Sequence, residues 1–405
     1  MKNKNMIYIS LLVFFFYTNI SAQMSVYVPD TYSSIRNEEG LLKSWPKNGP
    51  ELLWKYENIG NGYSSPVFTS DGIFVTGEIK GVGYLFAFDS KGTFQWKQEY
   101  GKEWSDRFPG SRSTPTVVNN LIYVCSGLGN ISCFDSENGN KKWSVEMIND
   151  LNGTNIIYGY SMSPVVDEDL LFCSPGGEES NIVALNRFTG EVVWVSKAKG
   201  ELPGYGSPII VKLPTRKILV AFTEYALLGL DTKDGKLLWS HKLSDYGEIP
   251  CNQPIYEAGY IYYVAGAGNG AGKLKLSDDG TTISEIWINE DFDTYFGGFC
   301  KVGNFIYGSS QNQRVWKSLD TNTGKETGEL DFNKGASISA NGMLYFYNER
   351  GQMGLVKPNG GKPELISSFK IDQGTREHFA FPAINKGKLY IRHGNVLLAY
   401  NISEE

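Results

Sequence analysis

One string recurs about every 45 residues along most of this chain, and a period of that size implies a repeat architecture before any other property is weighed. It reads Ser/Thr-Pro, a short aliphatic and aromatic run, an Asp or Asn, a Gly four residues on, and a Trp four residues after that. Thr114-Pro115, residues 121–124, Asp135, Gly139 and Trp143 form one copy. Ser163-Pro164, Asn186, Gly190 and Trp194 form the next, and Ser207-Pro208, Asp231, Gly235 and Trp239 the one after, with the same spacings. Ser65-Pro66, Asp89, Gly92 and Trp96 make an earlier copy whose turn is one residue shorter. Weaker copies follow: Gln253-Pro254 with Trp287, residues 305–307 with Asp320 and Gly324, residues 343–346 with Gly360, and Phe381-Pro382 with residues 389–391 and 397–401.

Within each copy the runs are of strand length, rich in β-branched and aromatic residues and separated by turn residues, with almost no helical periodicity. Each copy therefore reads as a four-stranded antiparallel sheet. Asp-x-x-x-Gly is its hairpin connection: the acid bonds its own turn backbone and Gly takes the positive-φ position. The Trp then stands on the outermost strand, where it can cover the gap to a neighbour. Pro at the start of the first strand is tolerated on an inner edge, where no ladder partner needs the missing N–H.

The eighth copy ends at residues 401–405, before any outer strand, while residues 52–56 near the N-terminus form an outer strand with no sheet of their own. Pairing the two closes a ring and removes exposed sheet ends. The expectation is all-β: an eight-bladed β-propeller of four-stranded antiparallel blades over residues 51–405, closed by an N-terminal strand that completes the last blade.

Two lysines and a short apolar run at residues 1–17 read as an export signal, with cleavage after Ala22 and a lead-in segment over residues 23–50. No cysteine follows that cut to carry a lipid, and no later run is long enough to span a bilayer. A soluble, exported, monomeric protein, periplasmic or secreted, is expected. The formal charge of −6 and the lack of a Lys/Arg-rich run argue against nucleic acid as a partner. Cys125, Cys133, Cys173, Cys251 and Cys300 are too few and too scattered for a disulfide framework. Cys125 and Cys133 flank one turn and could bridge, but read better as small buried hydrophobes.

The string Ala/Ser-x-Asp-x-x-x-Gly-x-x-x-Trp, preceded by Ser/Thr-Pro and an aliphatic-Tyr-Val run, resembles the pyrroloquinoline-quinone-like propeller repeat over about residues 52–402. The resemblance implies two kinds of relative: quinone-dependent alcohol dehydrogenases, and cofactor-free propellers such as the BamB-like scaffolds of outer-membrane protein assembly. The dehydrogenases of that family carry adjacent cysteines over the quinone, a calcium or lanthanide site and often a Cys-x-x-Cys-His. None of these can be read here, so no catalytic residue carries over. BamB-like scaffolds are typically lipoproteins, and the missing lipid-bearing cysteine departs from that pattern.

The loops just before each first strand should gather at one mouth of the channel, and they are rich in aromatics. Tyr63, Trp104, Arg107, Arg112, Tyr160, Tyr205, Asn252, Tyr295, Arg376, His378 and Phe379 are the candidate ligand-binding residues there, with Phe108, Tyr158 and Phe296 beside them. Tyr63, Arg112, Tyr205, Asn252 and Phe379 hold matched positions before the Ser/Thr-Pro motif and are expected to point toward a common axis. Aromatics with arginine suit a peptide, a sugar or a flat cofactor. The glycine run at residues 266–272 lacks the helix of a phosphate loop, and residues 289–293 lack the ligand pattern of a calcium loop, so no metal is expected. The leading expectation is a non-catalytic binding or scaffold propeller of the cell envelope, presenting its aromatic face to a protein, peptide or glycan. The alternative is a quinone-dependent oxidoreductase of alcohols or sugars using PQQ with calcium. A carbohydrate-active enzyme using Asp106, Glu248 or Asp293 is a third reading.

Overall fold

The computed structural model describes residues 35–36 and 38–404, apart from Asp71, Glu248 and Ala267. The export signal of residues 1–22, the lead-in up to residue 34 and Glu248 lie outside the described residues.

The strand-length runs pair as the repeat requires. Blade 1 is built from Val67–Phe68, Gly72–Ile79, Val82–Asp89 and Phe94–Lys102, and blade 2 from Thr116–Val118, Leu121–Cys125, Asn130–Asp135 and Lys141–Glu146. Blade 3 runs from Val165–Asp167 to Val192–Ser196, blade 4 from Ile209–Lys212 to Leu237–Lys242, and blade 5 from Ile255–Glu257 to Ile283–Asn289. Blade 6 begins at Phe299–Val302 and ends at Glu326–Leu330, and blade 7 begins at Gly335–Ala340 and ends at Glu364–Lys370. Blade 8 takes Ala383–Asn385, Lys388–His393 and Val396–Asn401 from the C-terminus, and its outer strand is Leu52–Tyr56. The pairing Leu52↔Tyr400 through Tyr56↔Leu397 is antiparallel, so the ring closes as the sequence implied. The one helical element among the described residues is a single 3-10 turn at Asn359–Gly361.

The core is a set of wedges, one between each pair of blades, which is how a chain of 405 residues avoids needing one oversized interior. Between blades 2 and 3, for example, Tyr123, Ile131, Val183 and Leu185 pack together. The seam between blades 8 and 1 is the same kind of wedge, with Tyr390, Leu397 and Ala399 against Ile73, Val75, Phe86 and Phe88.

The repeat tryptophans latch these wedges at the rim. A small residue faces four of them across the bulged third-to-outer pairing: Ala87 opposite Trp96, Cys133 opposite Trp143, Ala184 opposite Trp194, Gly229 opposite Trp239. The indoles of Trp96, Trp143 and Trp194 then reach the turn glycine of the next blade. A methyl group on Gly139, Gly190 or Gly235 would lie 2.8, 2.9 or 2.5 Å from the ring of Trp96, Trp143 or Trp194. These glycines also carry positive φ, so both space and backbone require the residue. The indole N–H of Trp143 donates to the carbonyl of Arg187 at 3.0 Å and that of Trp194 to the carbonyl of Thr232 at 3.0 Å.

Two features were not legible in the repeat. Ile35–Arg36 adds a parallel strand to the inner strand of blade 7, opposite Ser339 and Ala340. Leu41 and Trp45 of the lead-in are buried in the wedge between blades 7 and 8. No disulfide joins the five cysteines, and Cys125 and Cys133 are buried without bridging.

Candidate functional site

Because every inner strand starts at the same end of the ring, the connections that precede them converge there, and between them lies a cavity of about 950 Å³. Its wall begins with the repeat motif itself. Ser65, Thr114, Ser207, Gln253-Pro254 and Phe381-Pro382 all line it. Their polar groups are spent on neighbouring blades: the Ser65 hydroxyl donates to the carbonyl of Phe381 at 2.9 Å, and the Gln253 amide donates to that of Pro208 at 3.1 Å. They form a rigid polar collar rather than a set of free donors.

Above the collar stands a connected series of rings. Tyr205 meets Tyr158 at 6.2 Å between centroids, Tyr158 meets Phe108 at 6.2 Å, and Phe108 meets Phe379 at 5.8 Å. Phe379 then touches Tyr63 at 5.7 Å and Phe296 at 4.7 Å, and Phe296 meets Tyr295 at 6.1 Å. The separations fit tilted and edge-on aromatic packing, which holds the rings while leaving their free faces toward the cavity. The Tyr63 hydroxyl donates to Glu377 at 2.7 Å. Burial, and then this bond, raise the Tyr63 phenol above its ordinary range.

Arg112 is the cation of this wall. Its guanidinium donates to the carbonyls of Gly110 at 2.7 Å, Phe108 at 2.6 Å and Arg107 at 3.1 Å, which pins the turn carrying Phe108 at a φ of 54°. A bulky residue in that left-handed region costs about 1–2 kcal/mol, so the arginine holds a strained turn that lifts a ring into the wall. The charge also lies 6.0 Å from the Tyr63 ring centre and 5.8 Å from that of Trp104. Burial lowers the Arg112 pKa. The nearest carboxylates are otherwise engaged: Glu103 accepts from the Tyr100 hydroxyl and from the Trp104 and Gly127 amides, and Glu377 accepts from Tyr63.

Of the candidates named from sequence, the structure brings Tyr63, Arg112, Tyr205, Tyr295 and Phe379 together in the cavity wall. Trp104 stands behind Arg112, donating from its indole to the carbonyl of Arg107, whose side chain is exposed. Arg376 is exposed and bonds Asn61. Three candidates turn away from the cavity. Tyr160 is buried, with its hydroxyl on the carbonyl of Pro175. Asn252 departs from the expected common axis because its amide satisfies three backbone groups at once: the carbonyls of Val264 and Thr294, and the N–H of Gly298. His378 packs between blades 7 and 8, stacked on His393 at 3.6 Å with Nδ1 against the Tyr347 hydroxyl. Burial, then the neighbouring His393 and Lys370, push it down to about 4.

Sequence reasoning missed Gln253, Phe299, Phe381 and the inner-strand residues Ser337 and Ile338 of the lining. The motif was the signal for the first and third, since it marks where each inner strand leaves the mouth. It also missed Arg392, fully buried at the seam, whose guanidinium donates to the carbonyls of Gly60 and Gly394 and to the Ser64 hydroxyl. Burial pulls it down to about 9, which leaves it charged at neutral pH.

Among the described lining residues there is no Asp or Glu. Calcium takes six to eight oxygen ligands, usually with carboxylates among them, and no cluster of three or more His, Cys, Asp or Glu suited to a metal occurs among the described residues. The lining holds one cysteine, Cys251, where a quinone cradle of the resembled type would need two adjacent ones. The described residues therefore do not fit a calcium-quinone pair, although the aromatic walls and Arg112 suit a flat or extended anionic ligand. Of the acids of the carbohydrate-active reading, Asp106 is exposed, Asp293 is buried outside the lining, and Glu248 lies outside the described residues. No helix among the described residues is long and apolar enough to cross a membrane.

The comparisons agree with this architecture. BamB of Moraxella catarrhalis superposes with a TM-score of 0.65 at 12% identity, over 87% of this chain and 99% of that one. A europium-containing methanol dehydrogenase superposes with a TM-score of 0.66 at 12% identity, over 89% and 88%. In sequence, the quinoprotein alcohol dehydrogenase PedH of Pseudomonas putida is 23% identical over 55% of this chain but only 36% of its own length. BamB of Burkholderia pseudomallei is 26% identical over 54% of this chain and 55% of that protein. BamB of Moranella endobia is 24% identical over 72% and 76%. The family model described as outer membrane protein assembly factor BamB matches residues 37–158 and 81–328, and the chain belongs to that family of propellers.

Proposed function

We propose that this chain is a non-catalytic binding or scaffold propeller of the cell envelope, exported and soluble, which holds an extended segment of a polypeptide partner in its mouth cavity. The observation that carries this reading is the wall itself: a continuous aromatic series around one guanidinium, with no acid among its described lining residues to act as general base or metal ligand. Such a wall binds by area and one charge. Family membership and the BamB relatives support a scaffold role.

A second reading starts from the same wall: aromatic faces with an arginine also suit a flat quinone, and a quinoprotein dehydrogenase is among the relatives. The test is titration of the purified mature chain with pyrroloquinoline quinone plus calcium, followed by tryptophan fluorescence and then dye-linked oxidation of alcohols and sugars. The scaffold reading expects neither saturable binding nor turnover. Saturable binding with turnover would replace it with the oxidoreductase.

A further inference from the structure

We propose that the cavity captures the free C-terminal end of a polypeptide, with Arg112 taking the terminal carboxylate and the aromatic series taking the last apolar side chains. This deepens the reading above and rests on it. Three observations carry it.

The first is the state of Arg112. A guanidinium has five N–H donors, and the protein's carbonyls take both on Nη2 and one on Nη1. Among the described residues neither the Nε–H nor the other Nη1–H has a protein partner, and no carboxylate forms an ion pair with this arginine. A half-buried cation on a cavity wall with donors that no described residue takes is a site for an anion, and a carboxylate is its strongest ordinary partner on a peptide.

The second is the company it keeps. Tyr63, with its ring centre 6.0 Å from that charge, and Phe108, whose carbonyl the guanidinium holds, share the wall with Tyr158, Phe379 and Ile157. The ligand therefore presents apolar or aromatic groups immediately beside its carboxylate, which is the arrangement at the end of a chain with an apolar last residue. A volume of about 950 Å³ admits a few residues, not a folded domain.

The third concerns the floor. Ser337 and Ile338 line the cavity, and the next two residues of that inner strand, Ser339 and Ala340, pair on their axial edge with Ile35–Arg36. The added strand extends the inner edge of blade 7 one step past the cavity lining, which favours a chain end over a segment threaded through the channel.

The experiment is equilibrium dialysis of the full mature chain against a pool of N-acetylated hexapeptides varied over Val, Leu, Phe, Tyr and Ser in the last three positions. It is run as free acids, as C-terminal amides, and as amides carrying one internal Glu. The proposal expects the acids to be retained about tenfold more strongly than the amides, the usual scale for one charge-assisted contact, with no recovery by the internal Glu. Arg112→Gln should abolish the acid–amide difference, whatever the overall affinity left once the Phe108 turn loses its arginine, and Arg112→Lys should restore part of the difference. The acid–amide contrast is measured on the unsubstituted protein, so it stands even if a variant folds poorly. Equal retention of acids and amides overturns the carboxylate anchor while leaving peptide binding in place. Recovery by the internal Glu overturns the chain end. Retention of none of the peptides overturns both this proposal and the function it rests on.

Discussion

Blades 1 to 5 and blades 6 to 7 solve the same rim problem in different ways. In the first group an outer-strand Trp faces a partner across the bulge, as Trp194 faces Ala184, and covers the neighbouring wedge. In blade 6 the equivalent position is Gly328, opposite Ser318, and the turn of blade 7 comes directly onto it: the Ser318 hydroxyl donates to the carbonyl of Gly361. Trp316, one strand further in, stacks on Phe346 at 3.6 Å and fills the wedge instead. In blade 7 the position is Ser367, opposite Leu355, and the missing indole is supplied from far away in sequence. Trp45 of the lead-in donates its backbone N–H to the Ser367 hydroxyl at 2.8 Å and sets its ring edge-on to Phe369 at 5.7 Å. The packing requirement is thus periodic even where the sequence is not.

Substitutions can break this equivalence in graded steps. Trp194→Ala removes a buried indole and its bond to Thr232, and should cost about 4 kcal/mol in urea unfolding. Trp45→Ala removes a buried indole whose N–H has no partner, so its cost should be about 1 kcal/mol smaller. A Trp45→Ala cost near zero would show that the lead-in does not replace the latch.

The turn glycines sharpen the contrast. Gly190 and Gly360 both have positive φ, so an alanine strains either backbone by about 1–2 kcal/mol. Only at Gly190 does the added methyl strike an indole, that of Trp143, whereas nothing lies within 4 Å of it at Gly360. Gly190→Ala should therefore cost about 1 kcal/mol or more beyond Gly360→Ala, an overpacking penalty. Equal costs would mean that the latch yields freely.

The smallest effect concerns charge. Burial would raise the Asp167 carboxyl, but Lys212 and Lys217, at 2.8 and 2.6 Å, outweigh it and hold it below its ordinary 3.8. A lowered acid pKa in the folded state adds stability above the unfolded value, and this is lost as pH falls through the folded one. Unfolding midpoints of the parent chain and of Asp167→Asn should differ at pH 6 and converge as the pH drops below 3.8. Persistence of the full difference at pH 2 would contradict the pairing.

The ring was legible because Asp-x-x-x-Gly-x-x-x-Trp encodes contacts made within a blade and to its immediate neighbour, and these depend on spacing. The same reasoning found the orphan outer strand Leu52–Tyr56, since incomplete first and last copies are complementary. Trp45 and Arg392 escaped it because Trp45 lies before the first copy and both reach partners more than 300 residues away, Ser367 and Ser64. In the cavity, positions before the motif predicted Tyr63, Arg112, Tyr205 and Phe379, where ring symmetry alone sets direction. It failed for Asn252, because a side chain that can satisfy three buried backbone groups turns inward regardless of symmetry.

The most direct test of the account places a photo-crosslinking residue at Phe379 in the cavity wall and, as control, at Asn341 in the turn at the opposite end of the blade 7 inner strand, in cells that express the chain. The account predicts adducts with envelope polypeptides from position 379 that free C-terminal peptide suppresses, and none that respond to the peptide from position 341. Adducts of equal yield from both positions, or only from position 341, would contradict it.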